Sequence, residues 1–386
     1  MEHYRRHVFL WKLIWWPVRL WLFLRINYRP KVHPIPAPSL IVSNHCTDLD
    51  PLLLALTIKN HAYFIASEHI FHRPRTAKLL LWLQAPIARM KSATGGDTAL
   101  AAIRRMRKGR SVAVFAEGNR TFNGVTEDIV ESTAKLARVS GASLVTHRFR
   151  GGYLTSPRWS GASLRRGLLT GEVVHVYSPA QLKAMTPAQI AEIIRRDIHE
   201  DAYATQEVWK IPYKGRNLAQ YLERALCICP GCGALGALHS RGDTVSCSRC
   251  GLTAVYSPLG YLTGKDLPFR TVTEWDLWET GELQTRTAYA DGQAPIAEDD
   301  EIDFCEVTDD YRELPGIRGS LRVFRDRIEC AGQVLSFAEL TGISINGPQA
   351  LSLTLGSRHF QIRSRQVRNM RKYLTIYRAA IAQQNA

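Results

Sequence analysis

Between residues 39 and 201, short continuous apolar runs alternate with longer amphipathic stretches. The runs at 39–43, 111–115, 144–147 and 172–177 predict strands, and the stretches at 51–58, 77–84, 97–108, 128–139 and 188–200 predict helices. Uninterrupted apolar strands separated by helices are what a parallel sheet covered on both faces requires. The expected fold is therefore α/β, a domain with a mostly parallel sheet and flanking helices.

The pattern changes past Leu226, first to a Cys- and Gly-rich stretch and then to short strand-like runs at 321–324, 327–330, 333–336, 351–354 and 359–362, closed by a helical pattern over 366–380. This predicts a small zinc ribbon followed by a β-rich C-terminal domain that resembles a pleckstrin-homology-like fold. At the other end, residues 8–24 are rich in Leu, Ile, Phe and Trp but are interrupted by Lys12 and Arg19. A charge at mid-bilayer costs about 2.5–3.5 kcal/mol, so this segment is expected to lie in a membrane interface instead of spanning it. As a helix it places Arg5, Lys12 and Arg19 on one face with Trp15 and Trp16 beside them, and Pro17 is expected to kink or split it. A cleaved leader is disfavoured because no small-residue cleavage site follows the Trp-rich run.

The chain of 386 residues is longer than one core usually supports. The expected division is an interfacial segment (1–30), the α/β domain (31–222), the ribbon (223–256), a linker and irregular segment (257–300) and the β-rich domain (301–386). No internal repeat is present.

Charge adds an anionic partner to this picture, with a formal net charge of +15. Arg5, Arg6, Lys12, Arg19, Arg25 and Arg29 oppose only Glu2 in the first 30 residues, and basic charge within an apolar segment favours a phospholipid surface over nucleic acid. Glu298, Asp299, Asp300 and Glu301 form an acidic run that reads as a solvated connector or loop. The cysteines, four of them in two Cys-x-x-Cys pairs, suit a reducing compartment. The expected location is the cytoplasmic face of the cell membrane.

Candidate chemistry begins at Asn44-His45-Cys46-Thr47-Asp48-Leu49-Asp50, between the end of a predicted strand and the start of a helix. A histidine with an ordinary pKa near about 6.5 suits a general base, and a carboxylate on its other ring nitrogen fixes the tautomer and stabilises the imidazolium. His45 and Asp50 can fill those roles. Two plainer readings stand beside this one. Asp50-Pro51 also fits a helix N-cap with proline at the first helical position, and His45 fits a hydrogen-bonded core histidine. Cys46 as an acyl-enzyme nucleophile is a further alternative, although adjacent side chains in an extended segment point to opposite faces.

About seventy residues later comes Phe115-Ala116-Glu117-Gly118-Asn119-Arg120-Thr121. The two stretches together resemble the first and third signature motifs of the glycerolipid acyltransferase family, Asn-His-x-x-x-x-Asp and Phe-Pro-Glu-Gly-Thr-Arg-Ser. The resemblance covers about residues 39–206. It implies that His45 is the base and Asp50 its partner, and that Glu117, Gly118 and Arg120 shape the acceptor site, Arg120 pairing with a phosphate. Arg89 falls where the family has a second phosphate-contacting arginine, with Lys91 a lesser candidate; a solvated surface arginine is the alternative for Arg89. Ala116 and Asn119 depart from the pattern, and Thr146 stands where a proline is usual. The run Thr146-His147-Arg148-Phe149-Arg150-Gly151-Gly152-Tyr153 thus points to an altered acceptor or acyl pocket.

Cys229-x-x-Cys232 and Cys247-x-x-Cys250, each followed by glycine and separated by fourteen residues, have the spacing of a structural zinc site with no open coordination position. Cys227 and His239 are substitute ligands at most, and Cys305 and Cys330 read as small core residues. The function implied is transfer of a fatty acyl group from an acyl-CoA or acyl carrier protein thioester to a hydroxyl of a lysophospholipid or glycerol phosphate, as in lysophosphatidate acyltransferases of phospholipid biosynthesis. The competing classes are a catalytically silent lipid-binding scaffold and a nucleic-acid-binding zinc-ribbon protein. Nucleic acid is disfavoured because the ribbon holds only Arg241 and Arg249 against Asp243, without interleaved aromatics.

Overall fold

The computed structural model describes residues 4–67, 85–89, 96–161, 163–308 and 312–384. The predicted helix at 77–84, and Lys91, lie outside the described residues. The chain divides into two units, one comprising Met1–Arg158 with Ala162–Gly215, the other Trp159–Gly161 with Arg216–Ala386.

In the first unit, β1 (Tyr28–Pro30), β2 (Ser39–Ser43), β3 (Ala62–Ser67), β4 (Ile87–Arg89), β5 (Ser111–Phe115), β6 (Ser143–Arg150) and β7 (Leu169–Tyr177) form one sheet. Its order is β1-β7-β6-β2-β5-β3-β4. All neighbours are parallel except β6 and β7. The helices are α1 (Tyr4–Ile26), α2 (Asp50–Ile58), α3 (Gly96–Arg107), α4 (Ser132–Val139), α5 (Gly152–Thr155), α6 (Pro179–Ala184), α7 (Pro187–Ile198) and α8 (Ala202–Trp209).

Strand β2 is central, and every one of its residues is buried. Ile41 packs with Trp11, Leu22 and Ile26 of α1 and Leu53 and Leu54 of α2, while Leu40 and Val42 pack with Met106 of α3, Leu136 of α4 and Ile190 and Ile194 of α7. Two covered faces explain why this strand reads as an unbroken apolar run. Each such side chain contributes about 1.5–3 kcal/mol on burial.

Helix α1 corrects the expectation of a split into two helices: it continues through Pro17 as one element. Proline removes a single main-chain hydrogen bond, and packing of Trp11, Trp15, Val18, Leu22 and Ile26 against the core holds the turns on both sides. Its outer stripe, Phe9, Leu13, Trp16, Leu20 and Leu24, follows helical spacing and is exposed, with Trp16 at 70% and Phe9 at 66%. Among the described residues, no helix is long and apolar enough to cross a membrane.

The second unit begins with a four-stranded antiparallel sheet of order β11-β10-β9-β8, built from β8 (Leu238–Arg241), β9 (Thr244–Cys247), β10 (Thr253–Tyr256) and β11 (Leu262–Thr263). A helix, α9 (Val272–Ala288), follows in the segment expected to be an irregular linker. It opens on a capping box, in which Thr271 Oγ1 accepts from Glu274 N–H and Glu274 Oε2 accepts from Thr271 N–H, both at 3.0 Å. Trp275 and Glu279 on its inner face anchor the chain leading into the ribbon. Trp275 donates to Ile228 O at 2.9 Å, and Glu279 accepts from Cys227 N–H and Ile228 N–H.

A seven-stranded antiparallel sheet completes the unit: β12 (Ala297–Val307), β13 (Ile317–Val323), β14 (Arg327–Cys330), β15 (Gln333–Ser336), β16 (Leu340–Asn346), β17 (Ala350–Leu355) and β18 (Arg358–Ser364). Their order is β15-β14-β13-β12-β18-β17-β16, and α10 (Arg371–Gln384) ends the unit. This region is antiparallel, β-rich and closed by a helix, as the pattern of short runs implies. The acidic run at 298–301, however, lies within strand β12 and not in a loop; Glu298, Asp300 and Glu301 are exposed as expected, and Asp299 alone is buried. Strand alternation turns Asp299 inward, where it accepts from Lys372 Nζ at 2.6 Å and Tyr373 Oη at 2.8 Å.

Candidate active site and a four-cysteine cluster

Because β2, β5 and β6 are adjacent and parallel, their carboxyl ends open on the same edge of the sheet. In open α/β sheets that edge is where ligands gather. The loop after β2 carries His45, the loop after β5 carries Glu117 and Arg120, and the segment after β6 carries Gly152 and Ser156. Sequence separation thereby becomes proximity.

His45 Nδ1 lies 2.8 Å from Asp50 Oδ2. Asp50 is fully buried, and the same Oδ2 accepts from Cys46 N–H at 2.6 Å and Thr47 N–H at 2.9 Å, while Oδ1 accepts from Thr47 Oγ1 at 2.6 Å. The helix-cap reading of Asp50 therefore fails. Leu49 is the N-cap of α2, no side chain caps the helix, and the Asp50 carboxylate turns back into the loop. A carboxylate held by these donors orients the imidazole with Nδ1–H donating, which leaves the lone pair on Nε2. Nε2 has no hydrogen-bond partner among the described residues, and the side chain is 21% exposed. The ring stacks on Phe115, centroids 4.4 Å apart. Asn44 fixes the loop from behind, exchanging hydrogen bonds with the Phe149 main chain of β6 at 2.8 and 3.0 Å.

Glu117 is spent on the main chain. Its Oε1 accepts from His45 N–H at 2.5 Å and its Oε2 from Glu127 N–H at 2.8 Å. Burial outweighs these two bonds and pushes its pKa up to about 8. Gly118 has φ of +71° in the tight turn that leaves β5, a conformation glycine adopts without strain. Gly152 is needed for closeness, since a Cβ there would meet the Cys46 Cβ at 2.6 Å.

Arg120 is a clamp between loops. Nε donates to Cys46 O at 3.0 Å, Nη1 to Asp48 Oδ2 at 2.8 Å and Nη2 to Ser156 O at 2.6 Å. Arg89 ends β4, and its side chain lies outside the described residues.

Cys46 is buried, and burial, reinforced by the Asp50 and Glu117 carboxylates, pushes its thiol well above the ordinary range. Its sulfur accepts from Asn44 Nδ2 and makes no bond to the His45 ring. A thiolate nucleophile is poorly served there. The unusual run from Thr146 does not open a pocket at Thr146 itself. That hydroxyl donates to Asp197 of α7 at 2.9 Å, on the opposite side of the strand from Val145 and its core partners. His147 lies beside Ser43, its Nδ1 2.9 Å from Ser43 Oγ, and burial pushes its pKa down to about 3. Thr47, Asp48 and Ser156 are the members of the site that motif reasoning missed. Thr47, three residues before Asp50, carries a local signal, because Ser and Thr commonly bond to nearby polar groups in turns.

In the second unit, the four sulfurs of Cys229, Cys232, Cys247 and Cys250 lie within 4.8 Å of one another. The two knuckles repeat one hydrogen-bond pattern. Gly233 N–H donates to Cys229 O and Gly251 N–H to Cys247 O, while Cys229 N–H donates to Ala234 O and Cys247 N–H to Leu252 O. Gly233 and Gly251 both take positive φ to close their turns. A tetrahedral ion with metal–sulfur bonds of about 2.3 Å has sulfur–sulfur edges of about 3.8 Å. The separations Cys229–Cys250, 3.6 Å, and Cys232–Cys247, 3.8 Å, fit that figure. Cys227 and His239 stand outside the cluster, Cys330 is fully buried and Cys305 is half-buried.

Comparison with known proteins bears on the first unit. Residues 26–150 match the family model described as Acyltransferase. Over 114 residues the chain is 28% identical to the 1-acyl-sn-glycerol-3-phosphate acyltransferase of Borreliella burgdorferi, which covers 29% of this chain and 46% of the relative. The chain thus spans about half the length of the curated relative it matches. The crystal structure of the 1-acyl-sn-glycerophosphate (LPA) acyltransferase, PlsC, from Thermotoga maritima aligns with a TM-score of 0.42 and 17% identity over 51% of this chain and 81% of that one. Both signature motifs fall inside the span that matches the Acyltransferase family model, at the carboxyl ends of neighbouring strands.

Proposed function

We propose that the protein is an O-acyltransferase that moves a fatty acyl group from an acyl-CoA or acyl carrier protein thioester to a hydroxyl of a lysophospholipid or glycerol phosphate. The observation that carries this reading is the imidazole of His45, oriented by Asp50 through Nδ1 and open at Nε2. The acceptor oxygen attacks the thioester carbonyl as its proton passes to His45 Nε2. The carbon–sulfur bond then breaks, and the imidazolium returns the proton to the departing thiolate. Asp50 stabilises the imidazolium between the two steps, Glu117 holds the His45 main chain, and Arg120 is the cation available to an anionic headgroup. No covalent intermediate on the enzyme is needed, consistent with the buried thiol of Cys46.

The setting that fits is the cytoplasmic face of a membrane, reached by docking of α1. Its exposed stripe of Phe9, Leu13, Trp16, Leu20 and Leu24, flanked by exposed Arg5, Lys12 and Arg25, suits a lipid interface. The four cysteines fit structural zinc, since four thiolates leave no position for a reacting water.

The test is acyl transfer to lysophosphatidate and glycerol 3-phosphate with both donor types. His45→Ala, with thermal unfolding matching the wild type, is expected to lower the rate by about 10²–10⁴. Full activity in that variant sinks the proposal. Flotation with anionic vesicles should fall sharply when Trp16 and Leu20 are both replaced by Asp.

A further inference from the structure

The loop between His45 and Asp50 contains a second carboxylate, Asp48, whose surroundings are the opposite of those of Asp50. Asp50 is fully buried, whereas the side chain of Asp48 is 78% exposed. The sole partner of the Asp48 carboxylate among the described residues is Nη1 of Arg120, at 2.8 Å.

Arg120 is itself only 10% exposed. Two sides of its guanidinium are closed by main-chain carbonyls, Cys46 O on Nε and Ser156 O on Nη2, with Ser156 Oγ at 3.4 Å from Nη2. Those acceptors belong to the loops that build the site and cannot swing away. The Asp48 side chain can, because it is surrounded by solvent. The Nη1 edge, where Asp48 already sits, is therefore the edge whose acceptor is free to move for an arriving anionic group, and a pair whose carboxylate stands in solvent is screened and open to displacement.

We propose that Asp48 is a specificity-determining counter-ion: it occupies the open edge of Arg120 and must be displaced by the headgroup of an anionic acceptor. This rests on the acyltransferase reading of the same site. The consequence is discrimination by headgroup charge. A phosphomonoester must break the Asp48–Arg120 pair and then sit beside a like-charged carboxylate, whereas an acceptor without a negative headgroup makes no such exchange. Asp48 thus narrows the advantage that Arg120 would otherwise give to phosphate-bearing acceptors.

Asp48→Asn keeps the size of the side chain and removes its charge. Two measurements on the full chain test the idea: calorimetric binding of sn-glycerol 3-phosphate, and KM for lysophosphatidate beside KM for 1-monoacylglycerol. The variant is expected to bind glycerol 3-phosphate about fivefold more tightly and to lower the KM ratio of lysophosphatidate to monoacylglycerol by a similar factor. Raised salt should shrink both differences. Adding Arg120→Gln to Asp48→Asn should erase the gain, because the gain passes through the guanidinium. Equal or weaker glycerol 3-phosphate binding in Asp48→Asn overturns the proposal, and so does a parallel KM change for both acceptors, which marks a merely structural role. If the wild type transfers acyl groups to no acceptor, the enzymatic reading fails separately, and the binding comparison still decides whether Asp48 competes for Arg120.

Discussion

The cysteine cluster and the His45 site are assembled by opposite means. The cluster is built from two copies of a five-residue pattern, each closing its own turn through glycine and each repeating the same main-chain hydrogen bonds. The His45 site draws on loops that follow three different strands, and no single segment contains it. A local device announces itself in the spacing of its residues. A site shared among strand ends becomes visible only when the sheet order is known.

Metal removal gives the largest expected effect, since the binding energy of a structural zinc site is folding energy, about 10–16 kcal/mol in small zinc modules. One equivalent of zinc per chain is expected by elemental analysis. Cys232→Ser should lose it and expose residues 229–256 to rapid amide exchange. A metal-free preparation with full protection there would break the contrast between the two regions.

Next in size is Asp50→Ala. It orphans Cys46 N–H and Thr47 N–H at about 1–3 kcal/mol each and releases the imidazole, so both unfolding temperature and acyl transfer should fall. Asp50→Asn should spare more of the stability than of the rate, because an amide oxygen still accepts a hydrogen bond but supplies no charge opposite the imidazolium. Equal losses in both variants would mean that Asp50 acts only on the fold.

A smaller effect concerns pH. Glu117 in the first unit and Glu279 in the second are both pushed by burial from 4.5 up to about 8. Between those values the folded state keeps a proton that the unfolded state has lost, so stability falls as pH rises through the window and levels off above it. Glu200, raised to about 7, adds to the slope in the first unit. Denaturant titrations between pH 5 and 8 should show this fall. Glu117→Gln and Glu279→Gln should each flatten part of it, and unchanged slopes in both would refute the burial argument. Smallest of all is Cys46→Ala, expected to keep substantial acyl transfer; complete loss would revive the thiol route.

Several elements are legible from the order of residues alone. Strands β2 and β5 coincide with their apolar runs, since a strand buried on both faces carries no ambiguity of phase. Others are hidden for identifiable reasons. Asp299, inside the acidic run of β12, reads as solvated like its neighbours because its partner Lys372 lies more than seventy residues away. Helix α9 escapes the apolar pattern, although Thr271 and Glu274 spell its capping box, because its apolar positions are sparse. Pro17 suggests a break that core packing overrides.

By itself the sequence determined what depends on neighbours along the chain: the apolar strands, the cysteine knuckles, and the presence of His45 and Asp50 in one loop. Only the tertiary structure decided what that loop does with its two carboxylates. Burial and four donor contacts bind Asp50 to the imidazole, while exposure leaves Asp48 on Arg120. The two residues are the same amino acid two positions apart. Solvent and the strand ends brought beside them, not the local pattern, assign them different work.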